Sequence, residues 1–246
     1  MNEQLWITAL LNKVLGGPVN GLLQALPPAF HPAHPEAPIT NSVAMQFVVV
    51  TLLIVIFLLV RSRLSVEKPG GVQHMAEMFH EFISGQGEEI IGHHSGRFAP
   101  FLGALFLFIL VSNLIGLIPG FESPTASVWV PLGCAIVAFI YYNAHGIREQ
   151  GVLAYLKHFL GPVPLLAPLM LPIEIISTLA RVMSLTVRLF ANMFAGDMVT
   201  LVFFSMIPVG IPVIFLMLHV AVSFLQAYIF TLLTTVYLAG AVAHEH

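Results

Sequence analysis

The stretch "SLTVRLFANMFAGD" occupies residues 184–197 and places charged and amide side chains within a long apolar stretch, residues 171–206. The chain as a whole is 58% hydrophobic and only 9% charged. Soluble domains carry about 25% charged residues. The sequence therefore predicts an integral membrane protein that holds Arg188, Asn192 and Asp197 within the bilayer.

A second apolar stretch, residues 213–242, follows a turn signal at residues 207–212. As helices, the two apolar stretches would be about 52 and 45 Å long, whereas the hydrocarbon layer of a bilayer is about 30 Å thick. Upright helices would overshoot that layer, so they either break or lie steeply inclined. Their similar length favours a long, steeply inclined, antiparallel helical hairpin.

Three apolar segments precede this hairpin and have the composition of membrane spans. They cover residues 43–60, 101–119 and 128–142. Residues 145–150, "HGIREQ", are predicted as a polar loop. The predicted fold is an all-α membrane protein with five membrane helices.

The polar segment 61–97 contains apolar side chains at helical spacing, namely Val72, Met75, Phe79, Phe82 and Ile83. This spacing predicts an amphipathic helix on the membrane surface. Residues 1–41 are predicted to form an outer segment with a short interfacial helix and a proline-rich linker at residues 27–40. Residues 42–246 are predicted to form a single membrane domain.

The distribution of basic residues predicts the orientation. Two loops carry most of them: Arg61, Arg63, Lys68, Arg97, Arg148 and Lys157. Two spans separate these loops, so they share a side, and basic loops are typically cytoplasmic. We expect a bacterial inner-membrane protein with its N-terminus outside and its C-terminus in the cytoplasm.

The polar residues of the hairpin can be matched by their distance from the turn. Asp197 and His219 fall at similar depth, and so do Asn192 and Gln226. Arg188 lies near the middle of the first helix. At 100° per residue, Glu174, Arg181, Ser184, Arg188 and Asn192 share one face, while Asp197 points the opposite way.

A mid-membrane arginine is costly, by about 2.5 to more than 10 kcal/mol, and such residues usually mark an ion path. Arg188 stays charged, since the guanidinium pKa exceeds about 12. Glu174, Asp197 and His219 are groups that can exchange protons. A fixed charge flanked by titratable groups indicates two half-channels divided by a barrier, with a mobile partner carrying the proton across.

Other interpretations were weighed for the same residues. A purely structural role, in which Arg188 ties helices together through Asn192 and Gln226, leaves the graded series of ionisable groups unexplained. For Arg181, packing or snorkelling toward the headgroups is the stronger alternative. A secondary transporter usually shows broken helices in two related halves, and no repeat is visible here. A membrane scaffold would not need the ionisable groups.

The motif "SLTVRLFANMFAGD", with Glu174 upstream and "LQAYIFTLLTTVYL" downstream, resembles subunit a of the F-type ATP synthase. "FLFILVSNLIGLIPG" at residues 106–120 is similar to that family's second span, although Gly116 and Gly120 stand where some members have acids. The resemblance implies that Arg188 faces a rotating ring of c subunits. It also implies that Glu174 lines the cytoplasmic half-channel, and that the outer half-channel is lined by Asn192, Asp197, His219 and Gln226.

The resemblance further implies a non-catalytic subunit that couples proton flow to rotation and to ATP synthesis elsewhere in the complex. Its partners would be the c ring, the peripheral-stalk b subunits, the rest of the complex and membrane lipid. The sequence lacks a phosphate loop of the GxxxxGK type, so we expect no bound ATP. The sequence predicts no cofactor and no metal site, because no Cys or Asp completes a site with its histidines. It predicts no nucleic-acid partner, because it has no basic patch.

Overall fold

A computed structural model of the chain describes residues 4–25, 27, 37–65, 70–92, 95–118, 120–152, 155, 167–206 and 211–242. Regular structure within these ranges is helical. The helices are α1 (Trp6–Gln24), α2 (Asn41–Ser62), α3 (Gly71–Ile91), α4 (Ala99–Ile115), α5 (Trp129–Gln150), α6 (Ala167–Met206) and α7 (Ile211–Val242). Short 3-10 turns at Ser95–Arg97 and Pro124–Ala126 precede α4 and α5.

Four of the described helices are long and apolar enough to cross a membrane: α2, α5, α6 and α7. Helix α4 is apolar but has only 17 residues, which corresponds to about 26 Å. The predicted spans 43–60 and 101–119 therefore coincide with α2 and α4, although α4 ends four residues earlier, at Ile115. The chain is a multi-pass helical membrane protein.

Helix α5 is longer than predicted. Residues 145–150 form its last turns, so the prediction of a polar loop there was wrong. The polar side chains of this end have tertiary partners: Gln150 Nε2 donates to the carbonyl of Ala241 at 3.1 Å, and Glu149 pairs with Arg97 at 2.5 Å. The helix stops at Gly151, whose φ of 83° is a conformation that glycine adopts without steric penalty.

The two long helices run without a break. Helix α6 has 40 residues and α7 has 32, so they are about 60 and 48 Å long. Pro172 removes one backbone hydrogen bond near the start of α6, but the helix continues through it. Residues 207–210 of the predicted turn lie outside the described residues, and the rest of that turn begins α7.

Helices α6 and α7 pack with opposite chain directions. The Phe203 and Phe215 rings stack with centroids 4.3 Å apart near the end of α6 and the start of α7. Further back along α6, Asn192 meets Gln226, which lies further forward along α7. Contacts that recede from the junction on both helices define an antiparallel pair.

Helix α7 lies at the centre of the packed core. Its buried residues Ala227, Phe230 and Leu238 join those of α4 and α5 in one apolar cluster. Helix α6 contributes a narrow stripe to the cluster, Leu185, Leu189 and Met193, at the spacing of one helical face. The rest of α6 is largely exposed, so this helix is attached to the core along one side.

Helix α3 is amphipathic, as predicted, but part of its apolar face packs against other helices. Ile83 is buried, and the Phe79 ring lies 5.6 Å from the Phe106 ring of α4. Val72 and Met75, at the start of the helix, are exposed. The second half of α3 is therefore held against the helical core.

Helix α1 forms in the predicted outer segment and is docked onto the start of α2. Asn12 exchanges two hydrogen bonds of 3.0 Å with the backbone of Ile39. Trp6 and Val14 are exposed, as an interfacial helix requires. Most of the predicted proline-rich linker at residues 27–40 lies outside the described residues.

Candidate functional site

Arg188 lies at the edge of the buried stripe of α6. Its neighbours Leu185 and Leu189 are buried, and Arg188 itself is half-buried. Its guanidinium makes no hydrogen bond or ion pair with the residues that the structure describes. The five N–H donors of this cation are therefore available to an external acceptor.

One turn beyond Arg188, Asn192 Nδ2 donates to Gln226 Oε1 at 2.8 Å. Gln226 is buried, and its Nε2 has no hydrogen-bond partner among the described residues. A buried amide N–H without a partner is unfavourable unless water reaches it. The Asn192–Gln226 contact confirms the depth matching of these two residues.

Asp197 and His219 also meet across the two helices. Asp197 Oδ1 lies 4.0 Å from His219 Nε2, which is too long for a direct hydrogen bond. A water molecule can bridge two polar atoms at such a distance. His219 is only 5% exposed, and its Nε2 has no partner in the described part of the chain. The close approach of the ring requires Gly196, because a Cβ there would lie 2.8 Å from His219 Nδ1.

A cavity of about 270 Å³ lies between α6 and α7 beside these residues, and it is named the outer cavity after the side on which the sequence predicts it. Its wall includes Asn192, Gly196, Thr200, Phe215 and His219. The cavity is far larger than the 10–15 Å³ or so that one water needs, and it has several polar wall groups. It can therefore hold water next to the unsatisfied nitrogen of His219.

A second cavity of about 320 Å³ lies beside the first half of α6. It is named the inner cavity after the side on which the sequence predicts it. Its polar wall includes Glu174, Thr178 and Arg181 of α6 and Tyr237 of α7. Glu174 Oε1 is 3.5 Å from Arg181 Nη2. The wall of this second cavity thus carries a carboxylate beside a cation.

Arg188 separates the two cavities. It follows Glu174 by 14 residues and precedes Asn192 by four, which are axial distances of about 21 and 6 Å. Neither cavity wall, as far as the structure describes it, includes Arg188. The arrangement is two cavities that can hold water along one helix, with a permanently charged side chain between them that has no partner in the described ranges.

Asp197 and Asn192 both contact α7, although the helical wheel puts Asp197 opposite Arg188. Helix α7 packs between these two positions, so the side chains approach it from two edges of α6. The helical wheel of one helix describes its own faces, but the position of the neighbouring helix decides which faces meet.

Sequence reasoning missed a buried polar chain beside the outer cavity. Asn113 Nδ2 of α4 donates to the carbonyl of Ser223 at 3.4 Å, and Thr125 Oγ1 donates to Asn113 Oδ1 at 2.6 Å. Ser123 Oγ then joins Thr125 at 2.8 Å and donates to the carbonyl of Ser112 at 2.9 Å. The adjacent polar pair "SN" within the apolar span 101–119 was the available signal.

Metal ligands do not cluster in the described ranges, where no group of three or more His, Cys, Asp or Glu side chains could hold an ion. The candidate site itself carries carboxylates, an imidazole, amides and a guanidinium.

The fold and the site together define a class: a multi-pass helical membrane protein with ionisable groups and an arginine inside its longest described helix pair. Comparison with known proteins then narrows that class. The family model described as ATP synthase A chain matches residues 43–239. The chain belongs to the ATP synthase subunit a family.

Named relatives cover most or all of the chain. ATP synthase subunit a of Koribacter versatilis is 55% identical over 246 residues, 100% of both chains. The subunit a of Solibacter usitatus is 55% identical over 213 residues, 86% of this chain and 91% of the relative. That of Geotalea uraniireducens is 38% identical over 224 residues, 91% and 97% of the two chains.

Proposed function

We propose that this chain is the proton-conducting stator subunit of an F-type ATP synthase. Proton flow through it would turn a ring of c subunits and thereby drive ATP synthesis in another part of the complex. The single observation that carries this proposal is the pair of separate cavities with Arg188 between them, which has no ion-pair partner in the part of the chain that the structure describes. Membership of the subunit a family supports it.

The two cavities act as half-channels in this proposal. Water reaching the outer cavity exchanges protons with Asp197 and His219, and Asn192 and Gln226 extend the polar wall toward Arg188. Glu174 receives or supplies protons on the cytoplasmic side. A continuous pore would leak, so the step between the two cavities requires a carrier that moves.

A carboxylate on a rotating c subunit is the carrier that suits Arg188. An ionised carboxylate passing Arg188 is stabilised by the guanidinium, which blocks other cations and cannot itself give up its proton. When the carboxylate takes a proton from the outer water, it becomes neutral and can leave the arginine for the lipid. The reverse exchange, on the inner side, delivers the proton to the cytoplasm.

The membrane geometry follows from the same proposal. Five helices cross the membrane: α2, α4, α5 and the hairpin of α6 and α7, with α3 on the cytoplasmic surface. A straight helix of about 48 Å needs a tilt of about 50° to stay within about 30 Å of hydrocarbon. Such a hairpin can follow the curved face of a ring, in a bacterial inner membrane with the N-terminus outside and the C-terminus in the cytoplasm.

The exposed faces of the remaining helices fit an assembled subunit. The proposed partners are the c ring along α6, the peripheral-stalk b subunits, the rest of the complex and membrane lipid. The chain has no GxxxxGK loop and so performs no nucleotide chemistry itself.

Arg188→Lys tests the proposed function. Lysine keeps a positive charge but loses the planar fork, and it can deprotonate when buried. We expect ATP-driven proton pumping in inverted membrane vesicles to be abolished, while Arg148→Lys, at the cytoplasmic end of α5, pumps normally. Near-normal pumping by Arg188→Lys at normal assembly would remove Arg188 from its assigned role.

Single cysteines at positions 174 and 197 test the two half-channels, in a Cys134→Ser background. Cys134 is buried, so replacing it removes a background thiol without opening the surface. Membrane-impermeant thiol reagents should label position 174 from the cytoplasmic side and position 197 from the outer side. Labelling of both positions from the same side would contradict the half-channel arrangement.

A further inference from the structure

Arg181 lies between Glu174 and Arg188 on α6, seven residues from each. That spacing is two helical turns, so the three side chains share a face at steps of about 10.5 Å. Arg181 Nη2 is 3.5 Å from Glu174 Oε1, and both side chains are 36% exposed. Arg181 therefore meets the carboxylate of the inner cavity, a contact that snorkelling toward the headgroups would not require.

A second contact fixes the other side of the guanidinium. Its Cζ lies 5.3 Å from the centroid of the Tyr237 ring of α7. Guanidinium over an aromatic face is a favourable arrangement and also orients the plane of the cation. The Tyr237 ring is itself supported by Tyr142 of α5, with centroids 6.0 Å apart. The cation is thus held between a carboxylate and a ring.

The space around this contact is polar. Tyr155 Oη donates to Asn143 Oδ1 at 2.7 Å on the cavity wall. The hydroxyl of Tyr142, which also lines the cavity, is buried. A cavity of about 320 Å³ with such a wall accommodates several waters.

We propose that Arg181 is a positioning residue for proton transfer on the cytoplasmic side, acting through Glu174. This inference rests on the proposed function and deepens it. The Arg181 guanidinium, held by the Tyr237 ring, keeps the Glu174 carboxylate on the wall of the inner cavity, where it meets the water column. The Glu174–Arg181 pair has no net charge, so the cavity favours protons moving through water and Glu174 over a bound metal cation.

The test is a mutant cycle measured as ATP-driven proton pumping in inverted vesicles, normalised to the amount of chain in the membrane. A half-exposed ion pair is a modest contact, so we expect Arg181→Gln to slow pumping about two- to fivefold. In a Glu174→Gln background the same change should slow it no further. Losses that multiply in the double mutant would overturn the proposal.

Two conservative variants separate positioning from packing. Arg181→Lys keeps the cation and should recover most of the rate, whereas Arg181→Gln keeps a polar side chain without the charge. Tyr237→Leu removes the ring and should behave like Arg181→Gln, while Tyr237→Phe keeps the ring and should lose less than Tyr237→Leu. Equal losses for the lysine and glutamine variants would show a structural role only and would overturn the proposal.

The outcome also distinguishes this inference from the proposed function. If Glu174→Gln slows pumping but Arg181→Gln does not, only the role of Arg181 fails. If Glu174→Gln itself pumps normally, the inner path through Glu174 fails, and the role of Arg181 fails with it. Arg188→Lys reports on the proposed function independently of both.

Discussion

The close approach of His219 to the backbone of Gly196 can be broken by one methyl group. In Gly196→Ala, the new Cβ would lie 2.8 Å from His219 Nδ1 and 3.0 Å from Cε1. Ordinary Cβ contacts begin at 3.4 Å. The nearest atom of the imidazole must therefore move away by about 0.6 Å. Such a displacement is typical of overpacking by one added methyl group.

The size of the effect on stability and on proton pumping depends on the space into which the His219 ring can move. Overpacking of a rigid core costs about 1–3 kcal/mol, but the cavity of about 270 Å³ beside His219 gives the ring room to move. We therefore expect the variant to fold and assemble. A misplacement of about 1 Å at a reacting group can slow its reaction about 100-fold. For the smaller shift here, which disturbs the 4.0 Å separation between Asp197 and His219, we expect about a tenfold loss of proton pumping.

The assay is ATP-driven proton pumping in inverted vesicles at matched levels of assembled complex. Gly133→Ala is the matched control, because it adds a methyl to helix α5 with no heavy atom within 4 Å. The reasoning is refuted if Gly196→Ala and Gly133→Ala pump equally well. A second check uses His219→Asn, which removes the clashing ring. This substitution should reduce proton pumping less in the Gly196→Ala background than in the unchanged protein.

Two further predictions concern contacts between elements. Asp197→Asn and His219→Ala should each slow proton pumping about three- to tenfold, and the double mutant should lose less than the product of the two, because the two side chains lie 4.0 Å apart in one site; fully independent losses would argue against a shared site. Gly146→Ala would place a Cβ 2.6 Å from the ring of Tyr155 and should lower the stability by about 1–3 kcal/mol. Thermal melting of the purified complex measures this, with Gly240→Ala, which meets open space, as the control; equal melting temperatures would contradict the packing argument.

The long helices and their pairing could be predicted because both follow from simple counts. Apolar run length predicts the helices, and distance from the turn predicts which residues meet. The Asn192–Gln226 hydrogen bond and the approach of Asp197 to His219 follow from that depth matching. Because two antiparallel helices have the same rise per residue, residues at equal distances from the turn lie at equal depth along the whole pair.

The end of α5 could not be predicted from the same counts. The polar sequence of residues 145–150 predicts a solvent-exposed loop. The helix continues there because Glu149 and Gln150 have partners on distant elements. Those partners, Arg97 and Ala241, lie far away along the chain. A tertiary contact of this kind overrides a local composition signal.

The role of Arg181 was open for a similar reason. From the sequence alone, packing or snorkelling toward the headgroups was the stronger alternative for this residue. Glu174 lies seven residues away, on the same face, and only the structure shows the two side chains meeting over the Tyr237 ring. The helical wheel places both residues on one face, but side-chain rotamers and the neighbouring helix decide the contact.

The order of the two long helices along the chain bears on how the protein enters the bilayer during synthesis. Helix α6 is made first and carries Glu174, Arg181, Arg188 and Asp197, whereas α7 contains no Asp, Glu, Lys or Arg. Each charge at the centre of a span opposes insertion by about 2.5–3.5 kcal/mol. Helix α6 alone is therefore a poor substrate for the insertion machinery, and α7 is a good one. We expect α6 to settle in the bilayer only when α7 arrives, so that the two helices insert as a unit.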